Sequence, residues 1–139
     1  MRLLFTILLP LLRAVSSLAQ KKNEAFQYPI RRATSPVVID GRVAEEAWQK
    51  ADVAGDFFMV LPMDTSKATV RTDVRMCYDD RNVYLLVENY EKVPGPIYVE
   101  SLKRDFSFGR NDNFLLFIDP FDDQTNGFSF GANAAGAQW

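Results

Sequence analysis

A short apolar run between acidic residues is the feature that most restricts the fold of this chain. Residues 114–118 are all apolar, and Asp112 and Asp119 lie on either side of them. Such a run is too short for an isolated helix and long enough for a strand buried on both faces. Asn126-Gly127 then favours a tight hairpin turn, because this pair readily adopts the positive φ angles that such turns need. We therefore expect two adjacent strands, with residues 128–133 as the second.

Further strand signals, separated by turns, precede this pair. Residues 70–78 alternate between apolar positions and the positions of Arg71, Asp73, Arg75 and Cys77, which predicts a strand with one buried face. Residues 79–82 predict a turn and residues 83–90 the returning strand. Shorter strand candidates lie at residues 37–39, 57–61 and 97–99.

Only one helix is expected. Apolar residues recur at helical spacing over residues 43–51, which predicts a short amphipathic helix with Trp48 towards the core. Several short strands with one helix indicate an all-β fold, an antiparallel β-sandwich of jelly-roll type.

The N-terminal residues have the pattern of a secretory signal peptide. Arg2 supplies the positive start, residues 3–12 are almost wholly apolar, and Ser17 and Ala19 occupy the −3 and −1 cleavage positions. The alternative is a membrane anchor, but a span needs about 20 apolar residues and Arg13 interrupts this run. We expect residues 1–19 to be removed, residues 20–36 to form a lead-in linker, and residues 37–139 to form the domain.

Charge and cysteine content restrict the function. Without Arg2 and Arg13 the chain has 14 basic and 18 acidic side chains, a net charge of −4. Nucleic acid is not an expected partner, because phosphate binding needs a basic patch and the sequence shows none. Cys77 has no second cysteine with which to form a disulfide. As a nucleophile it would lack a histidine base, since the chain contains no His.

Several short motifs occur along the chain in a specific order. They are Ile39-Asp40-Gly41, Glu45-Glu46-Ala47-Trp48, residues 78–85, Arg104-Asp105, Asp112-Asn113, Gly127-Phe128-Ser129-Phe130 and Asn133-Ala134-Ala135-Gly136. The ordered set resembles the family 9 carbohydrate-binding modules, in the variant found behind a signal peptide in large envelope proteins of Gram-negative bacteria. The resemblance implies a β-sandwich that binds oligo- or polysaccharides, often with structural calcium, within a longer parent chain. Because such modules continue with further strands beyond the position of Trp139, it also implies a domain truncated at its C-terminus.

Three residues are candidates for sugar binding. Arg104 and Asp105 would form a polar handle for hydroxyl groups, since charged groups make strong hydrogen bonds, and Phe108 would stack on a pyranose face. The alternatives are a local ion pair for Arg104 and Asp105 and a core position for Phe108. The family's sugar-clamping tryptophans have no clear counterpart, because Trp48 matches a buried helix position and Trp139 cannot be placed from the sequence.

Asp112, Asp119 and Asp122 are the candidate calcium ligands, because calcium prefers several oxygen ligands. The alternative is that Asp119 and Asp122 cap a strand and begin a turn. No spacing suggests two carboxylates facing each other across a cleft, so catalysis by this segment is not expected.

These observations predict a non-catalytic carbohydrate-binding module that is exported to the periplasm, outer membrane or extracellular space. Its parent is expected to be a glycoside hydrolase or an envelope barrel protein. The alternative is a structural or docking β-sandwich of an outer-membrane protein without sugar affinity, which the missing clamp tryptophans favour.

Export is expected to remove residues 1–19, because Ser17 and Ala19 match the requirements of a signal-peptidase site. Intact-mass measurement of the protein secreted by a Gram-negative host should give a chain that begins at Gln20. Recovery of a chain that still contains Met1 or Arg2 would contradict this prediction.

Overall fold

The computed structural model describes residues 26–61, 66–92 and 95–139. Strands are the main regular structure of the described chain, which has one short α-helix and two sheets. Its elements are β1 (Arg31–Arg32), α1 (Glu46–Lys50), β2 (Arg71–Tyr78), β3 (Val83–Tyr90), a 3-10 turn (Phe108–Arg110), β4 (Asn113–Ile118) and β5 (Phe128–Asn133). The predicted signal peptide lies outside the described residues. Within them, no helix is long and apolar enough to cross a membrane.

The chain divides into two compact units. Of the described residues, the first unit comprises those up to Ala54 together with Met76–Tyr84, and the second comprises those of Gly55–Arg75 and Leu85–Trp139. One sheet has the strand order β1-β2-β3, and the other pairs β4 with β5.

In the first unit, α1 confirms the predicted helix and buries Ala47 and Trp48. Glu46 in its first turn and Lys50 in its last turn suit the helix dipole and form an ion pair one turn apart, at 2.7 Å. Tyr28 connects the lead-in segment to this unit: its hydroxyl donates a hydrogen bond to the carbonyl of Asp52 and accepts one from the Met76 N–H at 2.9 Å.

The predicted strand at residues 37–39 is absent, and Ile39 is 80% exposed. A strand forms earlier instead, where β1 pairs in parallel with β2 through Arg31 opposite Cys77 and Arg32 opposite Tyr78. The first sheet is therefore mixed, not purely antiparallel. β-branched side chains favour a strand only where they are packed, and residues 38 and 39 are exposed.

The other short strand candidates are reduced to isolated bridges. Phe58 pairs with Lys67, supported by hydrogen bonds from Met59 N–H to the Ser66 carbonyl and from Ala68 N–H to the Phe57 carbonyl. Val99 pairs with Asn111.

The hairpin of β2 and β3 is confirmed, but β2 does not have one buried and one exposed face. Asp73 and Cys77 are buried, whereas Tyr78 is exposed. Arg71 donates hydrogen bonds to both carboxylate oxygens of Asp73, at 2.9 and 2.5 Å, which lowers the pKa of Asp73 and allows it to be buried as a charged group. Burial raises the pKa of the Cys77 thiol, which reduces its thiolate fraction and its value as a nucleophile.

In the second unit, β4 and β5 are antiparallel, with Asn113 opposite Asn133 and Ile118 opposite Phe128. The chain then turns and runs back along β5. Gly131 and Trp139 exchange two backbone hydrogen bonds of 3.0 and 2.9 Å, so β5 is paired on both sides. Gly136 has a φ of +85°, which glycine adopts at the least steric cost.

The β4–β5 connection is a long loop, and the predicted tight Asn-Gly turn is wrong. Residues 119–127 separate the strands, and the positive φ angles belong to Asp122 and Gln124. Gly127 is required for a different reason: a Cβ at this position would lie 2.9 Å from the carbonyl oxygen of Ile118. The prediction that β4 is buried on both faces is also wrong, because Phe117 is 69% exposed.

The turn between β2 and β3 leads to a prediction about acid stability. Asp79 accepts hydrogen bonds from the backbone N–H groups of Arg81 and Asn82, at 2.7 and 2.8 Å, and from the Tyr84 hydroxyl at 2.7 Å. The bond from Arg81 is the largest cause of the lowering of the Asp79 pKa to about 2, from an ordinary 3.8. A lowered carboxyl pKa stabilises the fold above the ordinary value, and this contribution is lost as the pH falls towards about 2.

Asp79→Asn should therefore flatten the fall in denaturation midpoint between about pH 4 and pH 2, relative to the parent protein. Chemical denaturation monitored by circular dichroism at several pH values measures this. Asp80→Asn is the control, since Asp80 bonds to the Arg32 side chain instead of the turn backbone. Equal acid slopes for the parent and Asp79→Asn would contradict the prediction.

Candidate functional site

Two buried asparagines hold the irregular segment that precedes β4. The side-chain oxygen of Asn111 accepts the backbone N–H groups of Glu100 and Ser101, at 2.9 and 3.1 Å, and its amide group donates to the Ser107 carbonyl at 2.8 Å. Hydrogen bonds of this kind satisfy backbone groups that no strand partner serves. Asn111 thereby fixes the path of the chain on both sides of residues 102–106.

Asn133 does the same for the C-terminal turn. Its oxygen accepts the N–H groups of Ala135 and Ala137, at 3.1 and 2.9 Å. Its amide donates to the Ser101 carbonyl at 2.7 Å and lies 3.4 Å from the Asn111 oxygen. The segment before β4 and the residues after β5 are thus held to one another through two side chains.

This arrangement assembles a row of aromatic rings, which we call the aromatic row: Phe106, Phe108, Trp139 and Phe117. The Phe108 ring lies 6.3 Å from that of Phe106 and 4.5 Å from that of Trp139, and Trp139 lies 6.5 Å from Phe117. All three contacts are edge-to-face, a favourable geometry for aromatic pairs. Phe106 is 4% exposed, Phe108 40% and Phe117 69%, and Trp139 is half-buried. One end of the row is therefore core, and the other is open to a ligand.

The predicted polar handle lies beside the row. Asp105 has a φ of +59°, and its N–H donates to the Gln138 carbonyl at 3.0 Å, next to Trp139 in the chain. Arg104 Nε is 4.0 Å from the Asp105 carboxylate, and both side chains are exposed. An exposed pair at this distance contributes little to stability, so both groups can bond to a ligand.

Asp105 is thus bonded through its backbone next to Trp139, and the Trp139 ring contacts Phe108, so the three residues predicted for sugar binding lie in one region of the second unit. Phe106 is core, and Phe108 lies between core and surface. Sequence reasoning missed Trp139 and Phe117. Trp139 is positioned by its backbone pairing with Gly131, which the sequence does not reveal. Phe117 was missed because β4 was predicted to be buried on both faces.

The loop after β4 is held by two carboxylates. Asp119 accepts the N–H groups of Phe121 and Gln124, at 3.1 and 2.8 Å, and Asp123 accepts those of Thr125 and Asn126, at 2.9 and 2.8 Å. These backbone hydrogen bonds, led by those from Gln124 and Asn126 respectively, lower the pKa of both carboxyls. Asp119 and Asp123 therefore organise the loop by accepting its backbone N–H groups.

An open concavity of about 420 Å³ lies between this loop and the ends of the two strands. Its lining combines aromatic rings with uncharged polar side chains and one carboxylate; it consists of Phe117, Ile118, Asp119, Gln124, Thr125, Asn126, Gly127, Phe128 and Ser129. We call it the loop concavity. Phe117 belongs both to the aromatic row and to the loop concavity, so the two are contiguous.

The three predicted calcium ligands are not brought together. Asp112 lies just before β4 and Asp119 just after it, and a strand rises about 3.3 Å per residue, so roughly 20 Å separates them. One carboxylate oxygen of Asp112 accepts the Tyr98 N–H at 2.8 Å. Within residues 26–61, 66–92 and 95–139, no three acidic, cysteine or histidine residues are placed to hold a metal. A single calcium bound by this set does not fit, and the turn alternative accounts for Asp119.

Asn111→Ala should destabilise the protein, because it removes the partners of three backbone groups around a buried side chain. Each buried polar group left unsatisfied costs about 1 to 3 kcal/mol, so we expect a loss of at least about 2 kcal/mol in chemical denaturation. Asn89→Ala is the matched control: Asn89 is exposed, and its substitution should cost within about 0.5 kcal/mol. Equal losses in the two variants would refute the anchoring role of Asn111.

No family model, no curated protein and no solved structure matches the chain.

Proposed function

We propose that the protein is a non-catalytic carbohydrate-binding module that holds a sugar chain against the aromatic row. The observation that carries this proposal is the position of Phe108, Trp139 and Phe117 beside the Arg104–Asp105 pair. A pyranose has apolar C–H faces that pack on aromatic rings and hydroxyl groups at its edge that need hydrogen-bond partners. In this proposal the aromatic row packs on the sugar face, and the Arg104–Asp105 pair bonds to the hydroxyl groups.

The charged pair suits this role because most of its hydrogen-bonding groups have no partner among the described residues. An arginine guanidinium has five N–H donors, and a carboxylate accepts several hydrogen bonds. Since Arg104 and Asp105 are both largely exposed and only 4.0 Å from each other at their closest atoms, most of this capacity faces solvent. The pair can therefore donate to one hydroxyl group and accept from a neighbouring one.

The affinity should be modest. Hydrogen bonds exchanged with water contribute only about 1 kcal/mol each, and a few of them with one or two ring contacts correspond to dissociation constants from about micromolar to millimolar. Weak binding at a single module is sufficient where the module is part of a longer chain, because linkage raises the effective concentration of the sugar.

The wider setting that we propose follows from the resemblance to family 9 carbohydrate-binding modules. It comprises a β-sandwich fold, export to the periplasm, outer membrane or cell exterior, and a parent chain that is a glycoside hydrolase or an envelope barrel protein. The signal-peptide pattern of residues 1–19 supports export.

The alternative is a docking domain without sugar affinity, and one observation favours it. Ile118 lies opposite Phe128, and Leu116 opposite Phe130, so these four side chains share one face of the β4–β5 pair. Ile118, Phe128 and Phe130 are exposed. Adjacent exposed apolar side chains are a feature of protein contact surfaces.

Isothermal calorimetry of the purified protein against neutral di- and tetrasaccharides separates the two functions. We expect heat of binding for at least one tetrasaccharide. Arg104→Ala should lower the affinity for that sugar at least about fivefold, which is equivalent to about 1 kcal/mol. Phe117→Ala and Phe121→Ala form a matched pair, since both rings are exposed, at 69% and 68%, and only Phe117 belongs to the aromatic row. Phe117→Ala should weaken binding, and Phe121→Ala should not.

Absence of heat with every sugar at millimolar concentration would overturn the proposal in favour of the docking domain. Equal affinity in the parent, Arg104→Ala and Phe117→Ala would show that the sugar binds elsewhere on the protein.

A further inference from the structure

The loop concavity begins where the aromatic row ends. Phe117 contributes its ring to both, and Ser129 lies directly opposite Phe117 in the β4–β5 ladder. Directly opposed residues of antiparallel strands project from the same face of the sheet. An exposed ring and a hydroxyl group therefore stand side by side at the entrance to the concavity.

Its polar side chains are available to a ligand. The hydrogen bonds of the described loop involve the backbone, Asp119, Asp123, Thr125 and Asn126. Neither the Ser129 hydroxyl nor the Gln124 side-chain amide takes part in a hydrogen bond with the described residues. Both groups can donate and accept, as recognition of a sugar hydroxyl requires.

The concavity has the size and composition of a site for a small neutral molecule. Its volume of about 420 Å³ falls within the range of pockets that bind small ligands. Rings from Phe117 and Phe128 line it together with uncharged polar groups, and the loop is held in place by backbone hydrogen bonds to Asp119 and Asp123. Less ordering is then needed when a ligand binds.

The charge around the concavity restricts the class of sugar. Residues 117–129 contain three aspartates and no lysine or arginine. The carboxylates of Asp119 and Asp123 accept loop N–H groups, which lowers their pKa further below the neutral range. A sugar ring that carries a carboxylate or sulfate would be repelled, whereas hydroxyl groups can still donate to the remaining lone pairs of Asp119.

We propose that the loop concavity is a second sugar subsite, which binds an uncharged pyranose unit of the same chain that contacts the aromatic row. This inference rests on the proposed function. It adds a chain-length requirement, because one sugar ring can occupy only one of the two places, and a preference for neutral over acidic polysaccharides.

Ser129 offers a matched pair of variants. Ser129→Thr keeps the hydroxyl group, whereas Ser129→Val has a methyl group in its place. The threonine and valine side chains have nearly the same volume, and both are β-branched and suited to a strand. Calorimetry would use maltotetraose, cellotetraose and laminaritetraose, the disaccharides of the same linkages, and tetragalacturonate as the acidic probe. We expect Ser129→Val to weaken the best neutral tetrasaccharide about fivefold, as expected for one lost hydrogen bond, and Ser129→Thr to stay within about twofold.

Ser129→Val should weaken the disaccharide less than the tetrasaccharide, because the longer chain extends further from the aromatic row into the loop concavity. Tetragalacturonate should bind at least about tenfold more weakly than the neutral tetrasaccharide in the parent protein. Tetrasaccharide binding that depends on Arg104 but is equal in Ser129→Val and Ser129→Thr would overturn the subsite and leave the proposed function intact. Acidic and neutral tetrasaccharides binding equally would overturn the charge preference, and no binding of any probe would overturn both proposals.

Discussion

The buried contact between Asn111 and Asn133 is the interaction on which the second unit depends. These two side chains supply hydrogen-bond partners to backbone groups of residues that have no regular strand neighbours. Without them, the segment before β4 would have to expose those groups to water or leave them unsatisfied, which is costly in a buried place. Because they also connect the two segments to each other, they determine that Phe108 and Trp139 meet. The surface available for binding is thus a consequence of two polar side chains in the core.

At the turns, carboxylates supply the hydrogen-bond partners of backbone N–H groups. Asp79 holds the β2–β3 turn, and Asp119 and Asp123 hold the β4–β5 loop, each by accepting backbone N–H groups. A carboxylate engaged in this way has a lowered pKa and stays charged while it contributes to local structure. A cluster of aspartates in a strand-rich sequence can therefore reflect loop construction as well as metal binding.

The β4–β5 pair presents different chemistry on its two faces, and this separates the two candidate functions. Phe117 and Ser129 share one face with the row that contains Trp139. Ile118, Phe128 and Phe130 share the other, which is apolar and exposed. The first face combines rings with polar groups, as sugar recognition requires, whereas the second resembles a surface that another protein element covers. The aromatic row and the apolar face use different residues, whereas the loop concavity is lined from both faces, by Phe117 and Ser129 and by Ile118 and Phe128.

The sequence by itself determined the elements that depend on local patterns. The helix at residues 46–50 and the hairpin of β2 and β3 follow from periodicity and turn residues, which act within a few residues along the chain. The strands β4 and β5 follow from short runs of strand-forming residues, although the turn predicted between them is wrong. It also identified Arg104, Asp105 and Phe108 as candidates, without showing what surrounds them. Only tertiary structure decided that Arg31–Arg32 forms a strand and residues 37–39 do not, that Asp73 and Cys77 are buried, and that Trp139 joins Phe108 and Phe117. The physical reason is that burial and strand pairing depend on partners distant in the sequence: Cys77 opposite Arg31, and Gly131 bonded to Trp139.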